Sequence, residues 1–400
     1  MAGVQAGVLG GIRVLDFGRY IAGPFCAALL GDLGAEVIRI ERREGGEDRG
    51  MIPVGTGPDG GGAMFLAMNR NKLGMTLDPA SPRGREIVKK LVATADVVVA
   101  NLPPRVLRSL ALDLDSLRQV KPDIILTTVT GFGAGGRLSD KHGFDGIGQA
   151  MSGAVFLSGF PDQPIMTKVP WVDFGTAFLS AFGTLAALME RGKTGRGQKV
   201  EGALLRTAIA ISNAMLIEQA TTGVGRVATV NRAFNNAPGD VYRCQDGWIV
   251  TTVIGPYMFG RWCEMVGEPD WPADPRFADD QARADNGAAI TARMKEWCAG
   301  RSCEEALAAL EEASIVAGQV YSPQQALDEP HIRDAGLLAE REFPGLAGTV
   351  PLAQTPIDLS ETPGTYRRRA PLIGEHTDEI LISLGYSAAE IAALREAKVV

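Results

Sequence analysis

The sequence predicts an α/β protein with a Rossmann-like large domain and a smaller α+β domain. A strand–helix–strand unit opens the chain, and short apolar runs then alternate with helical segments. Strands that alternate with helices at this spacing form a parallel sheet with crossover connections. The length points to the second domain, because 400 residues exceed what one hydrophobic core usually organises.

The opening unit has two β-rich runs, residues 12–17 and 36–40, around a short apolar helix. The helix is predicted to begin near Pro24, because proline lacks a backbone N–H and an N–H in the first helical turn has no partner inside the helix. Gly31 and Gly34 can end it, since glycine accepts a left-handed backbone. Three basic residues lie at the end of the second run: Arg39, Arg42 and Arg43. Ligands settle at the carboxyl ends of parallel strands, so this end is expected to receive a phosphorylated ligand.

The following segments continue the alternation. Residues 79–94 predict a helix capped by Ser81 and started by Pro82. Short buried strands are predicted at 97–100 and 124–130. The remaining predictions for this part are a strand at 74–77, a helix at 112–120, a helix at 174–191 that ends at Gly192, a short strand at 199–201 and a helix at 202–221.

A smaller domain follows a polar linker. Residues 241–253 predict a hairpin that turns at Asp246-Gly247, with helical segments near 258–266, 288–298 and 303–312. Helices at 377–384 and 388–398 end the chain. The predicted division is 1–220 for the first part of the large domain, 221–236 and 326–350 for two linkers, 237–325 for the small domain, and 351–400 for the return to the large domain.

Composition and charge restrict the function classes. A net charge of −7 argues against a nucleic-acid or membrane-surface partner. The first ten residues lack a basic, apolar signal sequence, and no uninterrupted run of about 18 apolar residues predicts a membrane span. The five cysteines are widely spaced, so free buried thiols in a reducing cytoplasm are expected. The three histidines have no ligand partner at metal-binding spacing, so no metal site is predicted.

Two segments carry candidate chemistry. Residues 131–136, Gly-Phe-Gly-Ala-Gly-Gly, formally match a dinucleotide fingerprint, but a charged loop follows where a helix should begin. Asp173 lies between a proline-led extended segment and an apolar helix. It is either a helix N-cap or an ionised carboxylate that the helix N-terminus keeps charged and that can act as a nucleophile.

The chain also resembles the family III CoA-transferases, the CaiB/BaiF family. Seven motifs occur in the family's order from residue 11 to the C-terminal region. They are residues 11–42 (Gly-Ile-Arg-Val-Leu-Asp to Leu-Gly-Ala-Glu-Val-Ile-Arg-Ile-Glu-Arg), 69–72 (Asn-Arg-Asn-Lys), 143–153 (Gly-Phe-Asp to Met-Ser-Gly), 193–198 (Lys-Thr-Gly-Arg-Gly-Gln), 242–249 (Tyr-Arg-Cys-Gln-Asp-Gly-Trp-Ile), 274–277 (Asp-Pro-Arg-Phe) and 371–378 (Pro-Leu-Ile-Gly-Glu-His-Thr-Asp).

The resemblance implies an acyl-CoA:carboxylate CoA-transferase in which Asp173 becomes acylated, with coenzyme A as co-substrate and no metal. Asp145 is predicted to be either an acid that supports Asp173 or a structural hydrogen-bond acceptor. The implied CoA contacts are Tyr20, Ile21, Ala22, Arg42, Lys72, Asn101 and Leu102. His142 stands where many members have lysine, and the usual arginine falls at Ser109, which leaves Arg105 and Arg108 as alternatives.

The resemblance also implies partners and alternatives. Family members form homodimers of two interlocked ring-like chains, and their substrates are an acyl-CoA and a carboxylic acid. Racemases of the same fold carry a histidine directly before the aspartate that matches Asp145, whereas this chain has Phe144, which cannot move a proton. Non-catalytic CoA binding and an NAD-linked oxidoreductase stay as alternatives. Residues 55–62 are predicted to form a glycine-rich surface loop. Gly255-Pro-Tyr257 occupies the region where some members have a run of glycines that closes over the active site, and this chain has no such run.

Overall fold

The structure, a computed structural model, describes residues 7–55 and 61–400. The predicted glycine-rich loop at 55–62 therefore lies mostly outside the described residues. The chain divides into two compact units. Unit 1 contains residues 1–152, 168–214 and 333–400, and unit 2 contains 153–167 and 215–332.

The first half of the chain forms nine helices and eight strands within the described residues. Up to residue 151 they are β1 (Arg13–Asp16), α1 (Ala22–Asp32), β2 (Glu36–Glu41), α2 (Ala63–Met68), β3 (Lys72–Thr76), α3 (Pro82–Thr94), β4 (Val97–Ala100), α4 (Pro104–Ser109), α5 (Leu114–Val120), β5 (Ile125–Thr130) and α6 (Asp145–Met151). Then come α7 (Ala154–Leu157), β6 (Gly159–Phe160), β7 (Gln163–Pro164), α8 (Trp171–Thr194), β8 (Lys199–Ala203) and α9 (Leu204–Thr222).

The second half begins with the rest of unit 2 and returns to unit 1. Its elements are β9 (Gly239–Arg243), β10 (Trp248–Thr252), α10 (Gly255–Val266), α11 (Asp280–Asp285), α12 (Gly287–Ala299), α13 (Cys303–Glu312), β11 (Ala317–Gln319), α14 (Pro323–Asp328), α15 (Pro330–Asp334), β12 (Leu338–Glu342), β13 (Thr349–Ala353), α16 (Thr377–Ser383) and α17 (Ala388–Glu396).

Unit 1 is built on a six-stranded sheet in the order β3-β2-β1-β4-β5-β8. All five strand pairs are parallel, which confirms the predicted parallel sheet. The chain leaves β1 toward β2 on one side and later returns to place β4 on the other side. The β1–β4 boundary is therefore a switch point, where open α/β sheets leave a crevice beyond the carboxyl ends of their strands.

Apolar side chains cover both faces of this sheet. One face carries a cluster with residues of α3, α5, α16 and α17, including Ile87, Leu117, Leu381 and Leu394. The other face packs against α1 and α8, with Phe25, Leu30 and Ala177 among the buried residues. Strands buried on both faces explain the continuous apolar runs of the sequence, such as Val97–Ala100.

The element ends show where the sequence predictions were right and where they were wrong. Ser81 caps α3 as predicted, with its side chain accepting the Gly84 N–H. Helix α8 does not end at Gly192 but runs to Thr194, because Gly195 supplies the left-handed residue, φ 68°, and bonds back to Arg191. The helix predicted at 112–120 is α5, which begins at Leu114 and is capped by the Asp113 side chain, and the short helix α4 before it was not predicted.

Unit 2 contains an antiparallel sheet in the order β11-β10-β9 and helices around it. The predicted hairpin is confirmed, since β9 pairs with β10 and the Cys244 N–H donates to the Gly247 carbonyl across the turn. The core includes Tyr242 and Trp262. All five cysteines of the sequence are buried and free, as predicted.

Among the described residues, one helix is long and apolar enough to cross a membrane by length and composition. This is α8, with a mean hydropathy of 1.5 over its most apolar 18-residue window. Some 39% of that window is buried inside the fold, and core helices of soluble proteins share such a composition. Ala177 and Ala181 of α8 belong to the cluster with α1, so this side of the helix is part of the unit 1 core.

Candidate functional site

A cavity of about 260 Å³ opens in unit 1 at the carboxyl ends of β1, β4 and β5. Its position is the crevice that the strand order predicts. We call it the Asp173 cavity. Its walls are residues 19–22 after β1, Glu47, residues 101–104 after β4, residues 129–131 at the end of β5, residues 139–144, Asp173 and Leu204.

Asp173 is not the N-cap of its helix, so that interpretation of the sequence is wrong. The N-cap of α8 is Pro170, whose side chain makes no capping bond, and Asp173 is the third residue inside the helix. A carboxylate at this third position often reaches back to the backbone N–H of the N-cap. Proline has no such N–H. The Asp173 side chain therefore has no backbone donor to reach back to.

Asp145 caps α8 instead. Its Oδ2 accepts the backbone N–H of Val172 at 2.8 Å and that of Asp173 at 3.0 Å. Its Oδ1 accepts from the Gln149 side chain, one turn further along α6. The Asp145 carboxyl is buried and accepts three hydrogen bonds, whereas in the described part of the chain no group donates a hydrogen bond to the Asp173 side chain.

The Asp173 carboxyl holds its proton more tightly than an ordinary aspartate. Burial, and then the negative charge of Asp145, raise the pKa of Asp173 to about 7. The sequence predicted that the helix N-terminus keeps this group ionised. Desolvation and a like charge outweigh the helix dipole here, so the carboxyl is about half protonated near neutral pH. Perturbed pKa values of this kind are frequent at functional sites.

The loop after β1 is held from two sides. The Asn101 side chain accepts the Arg19 N–H and donates to the Arg19 carbonyl, both at 2.7 Å. Tyr20 follows in a left-handed conformation, φ 63°, and its OH contacts Glu47 at 3.3 Å. Tyr20, Ile21, Ala22, Asn101 and Leu102 all line the cavity, and their contact with CoA stays a prediction.

Lys72 lies inside the fold and not on the cavity wall. It is fully buried, and its Nζ donates to Asp16 at 2.7 Å, to the Pro24 carbonyl at 2.7 Å and to Asn69 at 2.9 Å. Burial lowers the pKa of Lys72 to about 8. Because Asp16 accepts the Gly18 N–H at 2.7 Å, Lys72 supports the loop that lines the cavity.

Arg39 and Arg42, at the end of β2, were expected to face a phosphorylated ligand, but neither lines the cavity. Arg39 points into the protein, where its guanidinium bonds both carboxylate oxygens of Asp48 at 2.9 Å. Arg42 is exposed and pairs with Glu47, which lines the cavity. Arg42 itself is not among the lining residues, so the structure brings its carboxylate partner to the cavity.

The two arginines of α4 are distinguished by a second cavity of about 430 Å³. Arg108 lines it, whereas Arg105 lines neither this cavity nor the Asp173 cavity. The two cavities share four lining residues: Pro104, Thr130, Ser139 and Asp140. His142 is exposed on the wall of the Asp173 cavity.

Sequence reasoning missed Arg19, Glu47 and Lys141, which also line the cavity. No spacing in the sequence marks them, because they lie on three separate loops. Trp171 and Phe174, which lie close to Asp173 in the sequence, do not line the cavity. Trp171 packs into a core cluster, and Phe174 contacts Phe25 edge-on at 5.2 Å.

Comparison with known proteins decides the family. A profile described as CoA-transferase family III matches residues 9–377. The chain belongs to CoA-transferase family III. The chain is 33% identical over 393 residues to a Chloroflexus aurantiacus succinyl-CoA–D-citramalate CoA-transferase, covering 97% of both chains. It is 31% identical to a Rhodopseudomonas palustris formyl-CoA:oxalate CoA-transferase, covering 97% of this chain and 96% of the other.

Solved structures agree with this family assignment. A CaiB/BaiF family protein from Brucella suis superposes with a TM-score of 0.83 at 30% identity, over 95% of this chain and all of the other. A Mycobacterium tuberculosis protein gives 0.82 at 28% identity, over 94% and 99%. An Agrobacterium fabrum succinate–glutarate CoA-transferase is a further relative, 32% identical over 94% of this chain and 95% of the other.

This family III CoA-transferase has no dinucleotide fingerprint at residues 131–136. In the described chain no helix begins between residues 131 and 144. Gly131 is needed for packing, because a Cβ there would lie 2.9 Å from Gly143. Gly133 and Gly135 have positive φ angles of 77° and 90°. These glycines shape a loop, which is the physical reason for the misleading pattern.

The racemase alternative depends on the residue before Asp145. Phe144 lines the cavity, is 63% exposed and contacts the Tyr20 ring edge-on at 5.8 Å. The ring offers an apolar surface and no proton donor. Among the described residues, no group of three or more histidine, cysteine, aspartate or glutamate side chains is arranged to hold a metal ion.

Proposed function

We propose that this enzyme transfers CoA from an acyl-CoA to a carboxylic acid through a covalent intermediate on Asp173. The observation that carries the proposal is a carboxyl group on a cavity wall with a pKa raised to about 7 and no donor to stabilise its charge. Such a carboxylate is poorly solvated and correspondingly reactive, as a nucleophile requires.

The reaction consists of four nucleophilic substitutions at carbonyl groups. An Asp173 oxygen attacks the acyl-CoA thioester, the C–S bond breaks, and a mixed anhydride and the CoA thiolate result. The thiolate then attacks the Asp173 carbonyl, so the donor acid leaves as a carboxylate and an aspartyl-CoA thioester remains. The acceptor carboxylate attacks this thioester and forms a second anhydride and thiolate. The thiolate finally attacks the acceptor acyl carbon, which releases the new acyl-CoA and the Asp173 carboxylate.

No proton, metal or nucleoside triphosphate enters this balance, because each intermediate keeps one activated acyl group. The protein has to exclude water and to bind the phosphates of CoA. Basic side chains on the walls of the two cavities support phosphate binding: Lys141, His142 and Arg108. Guanidinium groups suit phosphate oxygens, and a protonated histidine adds charge.

Chemical trapping tests the intermediate. The enzyme is incubated with acyl-CoA, treated with hydroxylamine or borohydride, and digested for mass spectrometry. We expect the modified mass on the peptide that carries Asp173 in the native enzyme, and in a control variant at an exposed aspartate, Asp358→Asn. Asp173→Ala is expected to lose both the modification and transfer. Full transfer by Asp173→Ala, or modification at a different residue, contradicts the proposal.

The acyl groups are proposed to be small carboxylic acids, which the names of the relatives support. Succinyl-CoA and formyl-CoA are the first donors to test, with citramalate, oxalate and glutarate as acceptors. A homodimer of interlocked chains is proposed with it from the family resemblance, and a cytoplasmic location from the five free cysteines. Sedimentation of the purified enzyme tests the dimer, and a monomeric active enzyme contradicts it.

A further inference from the structure

The backbone N–H groups of the first turn of α8 need hydrogen-bond partners, and the transfer chemistry does not say which groups these are. The first N–H groups of a helix have no partner inside the helix and must be satisfied from outside. The Trp171 N–H donates to the Val169 carbonyl at 2.9 Å, and the Phe174 N–H begins the helical pattern by donating to Pro170 at 3.1 Å. The N–H groups of Val172 and Asp173 both go to Asp145, at 2.8 and 3.0 Å.

Asp145 is therefore the side chain that satisfies the two orphan donors nearest Asp173. A carboxylate that caps from a neighbouring helix is unusual, because the cap commonly comes from the N-cap residue itself. Here the N-cap is Pro170, and its side chain has no oxygen. Without Asp145, the two donors would lie beside the only carboxylate on the first turn, which is Asp173.

Helix α6 is packed to allow this contact. A Cβ on Gly148 would lie 2.9 Å from Cγ1 of Val172, so α6 approaches the first turn of α8 more closely than a side chain would allow. Gln149 holds the second oxygen of Asp145. Gln149 thus restricts the capping carboxylate from its own helix, and Gly148 allows the close approach to α8.

We propose that Asp145 is a positioning residue of the transfer reaction, which caps α8 from outside so that the Asp173 carboxyl stays uncommitted on the cavity wall. This inference rests on the proposed function of Asp173. The same arrangement places two carboxylates close together, and the Asp145 charge helps to raise the pKa of Asp173. A more basic carboxylate is a stronger nucleophile once it is ionised.

Other charged or titratable groups also line the Asp173 cavity. They come from the loop after β1, the turn before α2 and the loop before α6: Arg19, Tyr20, Glu47, Asp140, Lys141 and His142. The cap can therefore be tested by changing Asp145 alone, while these groups stay in place.

The test compares two substitutions of Asp145. Asp145→Asn keeps an oxygen for the two backbone donors but removes the charge, so we expect the acidic limb of the kcat/KM–pH profile to move to lower pH. At pH values above this limb, we expect kcat to stay within about threefold of the native value. Asp145→Ala removes the cap, and we expect kcat to fall by about tenfold or more. Asp279 in unit 2 serves as the control, because its side chain also caps a helix and accepts the Ala282 N–H at 2.8 Å. Asp279→Asn is expected to leave both the pH profile and kcat unchanged.

The outcomes separate this inference from the proposed function. If Asp145→Asn has the native pH profile and Asp145→Ala the native kcat, while trapping still labels Asp173, the positioning role is wrong and the nucleophile stands. If trapping never labels Asp173 in the native enzyme, the proposed function is wrong. A loss of stability in Asp145→Asn without movement of the profile shows a purely structural cap and also overturns the inference.

Discussion

The raised pKa of Asp173 makes a prediction about stability as well as about catalysis. An aspartate has an ordinary pKa of 3.8, and in the folded protein this one titrates at about 7. Between these values the unfolded chain has lost the proton while the folded chain still holds it. The folded state therefore loses stability as pH rises from 3.8 to 7, and the full loss is present above 7. Asp173→Asn removes this penalty.

The size of the effect follows from the difference of about 3 between the two pKa values, at 1.36 kcal/mol for each pH unit. We expect Asp173→Asn to raise the free energy of unfolding by up to about 4 kcal/mol near pH 8.5. Near pH 4.5 the gain shrinks to about 1 kcal/mol, because the native carboxyl is then protonated when folded. The inactive variant is thus expected to be the more stable one, as is common for reactive sites.

Urea unfolding followed by tryptophan fluorescence and circular dichroism measures this difference at both pH values and one protein concentration. Asp358→Asn serves as the matched control, because Asp358 is exposed. The control corrects for the general effect of removing one negative charge. A gain that is the same at both pH values, or a loss of stability at pH 8.5, refutes the reasoning that burial and Asp145 raise the proton affinity of Asp173.

Three further predictions follow from the site. The kcat/KM of the native enzyme is expected to fall about tenfold per pH unit below a midpoint near pH 7, since attack requires the ionised Asp173; a flat profile from pH 5 to 8 contradicts this. Lys72→Met is expected to destabilise the protein by about 3–5 kcal/mol, because it leaves Asp16 buried and unpaired; an unchanged thermal midpoint contradicts this. Gly148→Ala is expected to cost about 1–3 kcal/mol and to lower kcat, because its Cβ pushes α6 from Val172; full activity contradicts the close packing.

Much of the fold was predictable because its signals are local. Apolar runs of strand length, Ser81 before Pro82 and the turn at Asp246-Gly247 each act through neighbouring residues. They gave the parallel sheet and the hairpin correctly. The helix end at Gly195 was missed because Gly192 and Gly195 are equally good terminators in sequence, and the left-handed backbone that ends the helix is adopted at Gly195, whose N–H donates to the Arg191 carbonyl.

The sequence by itself determined the α/β class and the family resemblance, and it singled out Asp173 as the candidate nucleophile, because these follow from patterns along the chain. Only the tertiary structure decided that Asp145, 28 residues away, caps the helix of Asp173, and that Lys72 lies under the cavity loop instead of on its wall. The reason is physical. Burial, like-charge repulsion and hydrogen bonding across helices depend on which distant residues meet, and a linear pattern contains no information on those distances.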